Sequence, residues 1–177
     1  GLEAAILKAA DGGTPIFGIC GGYQMLGRTV ADPDQVEAAG VTEIAGLGLL
    51  PMDTAFRGEK VQTQTRGVFQ GVEGLFAPLN GLSYEGYEIH MGRSRQQMPA
   101  LSGRGNVYGS YVHGIFDAPG IADTVLRALC ERRGVSFDAL ETYDARDYKE
   151  RQYDLLAAAV RGGLDMPFVY RVLRREV

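Results

Sequence analysis

The 177-residue chain has two cysteines and two histidines, and these four side chains frame the chemistry it could carry out. Cys20 stands directly after residues 15–19 (PIFGI), a short apolar run of the kind that forms a buried strand. Gly21 and Gly22 follow, and Tyr23-Gln24-Met25-Leu26 opens a helical pattern. Gly18-x-Cys20-x-Gly22 therefore has the spacing of a strand–turn–helix elbow that presents a nucleophile at the top of an α/β sheet. Such a turn is sharp and strained, so a residue beside the nucleophile must lack a Cβ. A thiol at a helix N-terminus is expected to have its pKa lowered by the helix dipole. The backbone N–H of Gly21 is placed to face a developing oxyanion. The same residues also read as a buried cysteine in a glycine-rich βα turn.

A cysteine nucleophile needs a base. His113 ends the strand-like run 106–112 (NVYGSYV), at the strand's C-terminal end, where open α/β sheets place their sites. Gly114 after it leaves room for a substrate. The plain alternative for His113 is a hydrogen-bonded structural histidine. His90 lies in the aromatic and acidic strand GYEIHMG (86–92), and the residues alone leave it either packed on an edge strand or in contact with substrate. Cys130 falls on the apolar side of the helix expected over 121–132 and reads as core. Arg127, Arg132 and Arg133 read as a solvated face. No spacing among Cys20, His90, His113 and Cys130 resembles a metal-ligand pair.

The elements that would position these residues follow from periodicity and breakers. Residues 2–10 predict a helix closed by Asp11-Gly12-Gly13, and the helix after Cys20 is broken by Asp32-Pro33-Asp34. Residues 36–48 read as irregular. Residues 54–70 alternate polar and apolar, as an exposed antiparallel strand does; 71–74 read as a turn, and 83–90 as another strand, ended by Met91-Gly92. Residues 93–104 read as a surface loop. Helices are expected over 121–132, ended by Gly134, and over 143–161, with a last short helix opened by Asp165 and Pro167. This pattern predicts an α/β core sheet flanked by helices, with an antiparallel extension. An elbow strand normally lies between parallel strands, yet one helix alone precedes it, so the chain is expected to begin partway through a fold.

One domain fits the length. A net charge of −4 argues against a nucleic-acid partner. No run approaches the roughly 20 apolar residues of a membrane span, and no signal peptide is visible. Two cysteines 110 positions apart fit a reducing cytosol rather than a disulfide framework.

Cys20, Gln24, His113 and the GYEIHMG strand together resemble the triad-type (class I) glutamine amidotransferase domains. Within that class they are most similar to the C-terminal domains of the cobyric acid synthase family of cobalamin biosynthesis. The resembling segments are GICGGYQMLG (18–27), Asp32-Pro33 through Glu37, GLGLLP (46–51), GYEIHMG, GSYVHGIFD (109–117) and QYDLLA (152–157). The resemblance implies that Cys20 attacks the side-chain amide of glutamine to form a glutamyl thioester, and that His113 passes the proton to departing ammonia. It places the Gly21 N–H in the oxyanion hole and Gln24, Tyr87 and His90 against the bound glutamine. Ammonia would then amidate corrinoid carboxylates, the a,c-diamide of adenosylcobyrinic acid becoming adenosylcobyric acid. That step belongs to a synthetase domain that uses ATP and Mg2+ and is not found in these residues. No cofactor is implied for the glutaminase part itself. Ile115 stands where class I glutaminases usually carry a Glu that orients the histidine, which leaves the orienting group open. The second oxyanion donor and the strands flanking residues 15–19 are expected upstream of residue 1. The open strand edge makes self-association of the fragment an expectation, and the fragment alone should be a poor glutaminase. Cobyrinic acid a,c-diamide synthases and a lipid II-amidating glutaminase subunit share the CGGY elbow. Readings of other classes are a cysteine peptidase or esterase on a similar elbow, and a regulatory module with an inactive one.

Overall fold

A computed structural model describes residues 1–37, 39–94, 99–139 and 145–176. The chain divides into two units, Gly1–Leu140 and Glu141–Val177. The first holds helices α1 (Leu2–Asp11), α2 (Gly21–Leu26) and α3 (Ile121–Arg133). Its strands are β1 (Ile16–Ile19), β2 (Thr29–Ala31), β3 (Glu43–Ala45), β4 (Asp53–Val68), β5 (Ser83–Ser94), β6 (Ser102–Arg104) and β7 (Val107–Ser110). The second unit holds α4 (Ala145–Gly163) and α5 (Met166–Leu173).

The strands form two sheets, ordered β1-β7-β6 and β3-β2-β4-β5. In the first, β1 and β7 run parallel, with Ile19 opposite Ser110, and β6 returns antiparallel along β7. This is the α/β core with helices around it, and the long β4–β5 ribbon is its antiparallel extension. Strand β1 is hydrogen-bonded on one side, to β7, among the described residues.

Strand β7 is buried at every position, and its period-two alternation sends side chains into two different cores. Tyr108 joins Phe69, Phe76, Leu79, Ile115, Ile121 and Ala128 on the α3 side. Val107 joins Ala10, Tyr23, Leu26, Leu50 and Met52 on the side of α1 and α2. Gly109 is part of the same design: a Cβ there would lie 1.9 Å from Cδ2 of Tyr23, so its absence lets the Tyr23 ring lie flat on the strand. The Tyr23 hydroxyl donates to Ser102 Oγ at 2.6 Å. Burial pushes its pKa up to about 12, against a lowering by that hydrogen bond and a further rise from Tyr111.

Three local expectations are corrected. The helix after Cys20 ends at Leu26, well before Pro33, because Gly27 caps it through the carbonyl of Gln24 and the β-branched pair Thr29-Val30 then enters β2. Residues 43–45, read as irregular, are strand β3, paired antiparallel with β2. Residues 102–104, read as loop, form β6. Gly105 at φ 62° and Asn106 make the two-residue turn that folds β6 back on β7. Residues 95–98 of the predicted loop, and 143–144 of the predicted long helix, lie outside the described residues. Gly134 caps α3 in the left-handed conformation. Asp165 caps α5 by accepting from the Phe168 N–H at 3.0 Å.

Candidate active site

Cys20 sits between β1 and α2 at φ 52°, ψ −110°, one of three non-glycine residues with positive φ among those described. A conformation of this kind costs about 1–3 kcal/mol and persists where surrounding structure imposes it. Here the imposing groups are visible. Cys20 N–H donates to Ser110 O at 2.9 Å, and Gln24 N–H donates to Cys20 O at 3.0 Å, so the chain turns from sheet to helix within one residue. The turn closes on Gly18, where a Cβ would lie 2.8 Å from the Gly22 backbone and 2.6 Å from Leu26. The residue that must lack a Cβ is therefore Gly18. Cβ atoms at Gly21 and Gly22 would meet nothing within 4 Å, which leaves open space over the elbow.

The thiol's proton affinity runs against the expectation from helix position. Burial pushes the Cys20 pKa above its ordinary value. The Gly21 N–H lowers it, but the charge of Glu88 raises it further. A six-residue helix contributes a weak dipole, and half-burial outweighs it. The shift favours the protonated thiol.

Strand β5 joins the two candidate catalytic residues. Cys20 Sγ donates to Ile89 O at 3.6 Å. Two residues earlier, Tyr87 forms an isolated antiparallel bridge with His113: His113 N–H donates to Tyr87 O at 2.8 Å, and Tyr87 N–H to His113 O at 3.1 Å. Among the described residues Cys20 and His113 share no direct hydrogen bond; the backbone of β5 holds both. Resting catalytic contacts are often looser than those in a substrate complex. The bridge depends on Gly86, where a Cβ would fall 2.2 Å from His113 O. His113 Nε2 is buried with no hydrogen-bond partner among the described residues. Ile115, at the position expected of an orienting carboxylate, is 1 % exposed in the α3-side core.

His90 is differently placed. Its Nδ1 donates to Gly92 O at 2.6 Å, and its Nε2 lies 3.1 Å from a Glu88 carboxylate oxygen. The ring stacks on Tyr111 at 4.1 Å, and Tyr111 in turn meets Tyr23 edge-on. Both nitrogens of His90 are thus occupied within the protein. Gln24 is buried, with Gly92 pressed so close that a Cβ there would lie 2.4 Å from the Gln24 amide nitrogen. Tyr87 and Ile89 also line an open cavity of about 230 Å³ with Gln62, Thr63 and Gln64.

Other residues singled out by sequence have structural roles. Asp32 accepts from the N–H groups of Val36 and Glu37, fixing the turn that follows β2. Cys130 is buried in α3. Arg127 packs over the Phe137 ring, and Arg132 donates to Gly13 O, so this face is exposed but not merely solvated. No group of three or more His, Cys, Asp and Glu able to hold a metal occurs among the described residues. No described helix is long and apolar enough to cross a membrane.

Sequence reasoning missed Ile89, Gly86 and Tyr111. A signal for Gly86 existed, since a glycine inside an otherwise regular strand marks close backbone approach.

A thiol at a strained strand–helix elbow, with a histidine three residues past the end of the adjacent parallel strand β7, is an α/β arrangement of the kind that can present a nucleophile. Residues 1–121 match the CobB/CobQ-like glutamine amidotransferase domain. The chain belongs to that family. It is 44 % identical, over its whole length, to a cobyric acid synthase of Lachnoclostridium phytofermentans, and 41 % identical, again over its whole length, to one of Ruminiclostridium cellulolyticum. A cobyric acid synthase of Moorella thermoacetica is 40 % identical over 94 % of the chain. The chain spans 39 %, 38 % and 35 % of these relatives' own lengths.

Proposed function

We propose that this chain is the glutaminase part of a cobyric acid synthase, hydrolysing glutamine at Cys20. The observation that carries the mechanism is an elbow thiol and a histidine that are both held by β5, the histidine's Nε2 having no hydrogen-bond partner among the described residues. Cys20 Sγ attacks the side-chain amide carbon of glutamine while its proton passes to His113 Nε2. With the thiol pKa raised by burial, the attack requires a group that takes this proton. The Gly21 N–H donates to the oxyanion. The C–N bond then breaks, His113 protonates the leaving nitrogen, and ammonia departs from a glutamyl thioester. Water, deprotonated by His113, releases glutamate. His90 does not compete as base, because both its nitrogens are already engaged. Gln24, one helical turn after the nucleophile, supports the bound glutamine from below, partly by fixing Gly92 and β5 over the elbow. His90 and Tyr111 buttress the same strand.

The fate of the ammonia is proposed from the relatives' name, cobyric acid synthase, together with the family resemblance of the sequence: ATP-dependent amidation of a corrinoid carboxylate, in the cytoplasm, by a synthetase domain. ATP and Mg2+ belong to that domain. The test is glutamate release from glutamine by the polypeptide carrying this chain. Cys20→Ala should abolish it, and ammonia-supported amidation should survive. Undiminished hydrolysis in Cys20→Ala would overturn the assignment.

A further inference from the structure

We infer that Tyr87 is the positioning residue of His113, filling the place that a carboxylate holds in a Ser-His-Asp type triad; the inference rests on the glutaminase reading above. A catalytic base is effective when a third group fixes its ring. Here Ile115 is an apolar core residue. Glu88, the carboxylate nearest in sequence to Tyr87, is engaged with His90 instead. Tyr87 acts on His113 in two ways. Its backbone exchanges both hydrogen bonds with the backbone of His113, at 2.8 and 3.1 Å, which fixes where the Cα–Cβ bond starts. Its ring lies parallel to the imidazole, 6° between planes and 5.1 Å between centroids, which restricts rotation of the imidazole about the Cβ–Cγ bond. Directly opposed residues of an antiparallel bridge place their side chains on the same face, so the stack follows from the register. No hydrogen bond of the Tyr87 hydroxyl is required for this. The ring face does the positioning, and Nε2 has no hydrogen-bond partner among the described residues.

Tyr87 is 42 % exposed at the edge of the cavity with Gln62 and Gln64, so its replacement leaves the core intact. Stacked aromatic pairs contribute an interaction that corresponds to a few-fold to about tenfold in rate when it operates on a reacting group. The experiment measures kcat and KM for glutamine hydrolysis in the full polypeptide for Tyr87→Phe, Tyr87→Ile and Asp117→Asn. Asp117 is included because its carboxylate lies 3.7 Å from where a Gly114 Cβ would be, next to the histidine. Tyr87→Phe keeps the ring and should keep kcat within twofold. Tyr87→Ile keeps the strand and loses the stack, and should lower kcat about tenfold with KM little changed. Asp117→Asn should leave kcat within twofold.

A loss of kcat in Asp117→Asn matching that of Tyr87→Ile, an equal loss in Tyr87→Phe and Tyr87→Ile, or a change confined to KM would overturn the inference. A second readout is independent of activity. The His113 ring protons should carry an aromatic ring-current shift in wild type and Tyr87→Phe, assigned by their absence in His113→Asn. The same shift in Tyr87→Ile would overturn the stack. If wild type hydrolyses glutamine and Cys20→Ala does not, failure of the Tyr87 variants counts against this inference and leaves the glutaminase reading standing. Absence of hydrolysis in wild type overturns both.

Discussion

Gly86→Ala isolates the contact on which the site's geometry depends. A Cβ at this position would lie 2.2 Å from His113 O and 2.7 Å from Cγ1 of Val112, whereas ordinary contacts begin at 3.4 Å. The first obstacle is backbone, not the end of a flexible side chain. Relief therefore requires β5 and His113 to separate by about 1 Å, which a well-packed interior resists. That separation breaks the two hydrogen bonds of the Tyr87–His113 bridge, each contributing about 1 kcal/mol. It also moves the base, and a displacement of about 1 Å in a catalytic group costs on the order of a hundredfold. The expected outcome is a hundredfold lower kcat for glutamine hydrolysis with a stability loss of about 2 kcal/mol by thermal or urea melt. Gly58→Ala is the control: a Cβ there meets nothing within 4 Å, so rate and stability should stay near wild type. A Gly86→Ala enzyme with wild-type kcat would refute the proposition that the bridge places His113.

Replacement of His113 by Asn should lower glutamine hydrolysis at least about a hundredfold, the low end of a general-base contribution, and should do so more than His90→Asn; the reverse order, measured by glutamate release, would exchange the roles. Because the thiol pKa is raised, iodoacetamide should modify Cys20 slowly at neutral pH and faster as pH climbs past the ordinary cysteine range, and Glu88→Gln should speed the reaction at any one pH. The same shift means the folded state holds this proton more tightly than the unfolded one. Its contribution to stability is therefore present below the ordinary cysteine range and lost above it, as pH-dependent melts should show. Thr54 Oγ1 is buried without a partner among the described residues, so Thr54→Val should leave stability unchanged or raise it by about 1 kcal/mol in a urea melt.

The elbow was legible because its signal is local: a strand run, a cysteine and flanking glycines within a few residues. His113 was legible as the end of a strand, once the elbow called for a base. What sequence did not reveal were contacts between distant residues. Gly86 matters because of His113 and Gly109 because of Tyr23; a glycine within a strand signals a close approach, but which distant residue approaches has no local signature. The Cys20 pKa was misjudged for a related reason. Helix position can be read from neighbours in the chain, but burial and the charge of Glu88 come from the approach of β5. Strand β6 is a different case, since Gly105-Asn106 between two short runs is a hairpin signal in its own right.

The central claim, that Cys20 is the nucleophile toward glutamine, is tested most directly by mapping the site of 6-diazo-5-oxonorleucine attachment in the full polypeptide by peptide mass spectrometry. The account predicts one modified peptide, carrying Cys20, with Cys130 untouched and labelling blocked by excess glutamine. Attachment at Cys130, or labelling that persists in Cys20→Ala, would contradict it.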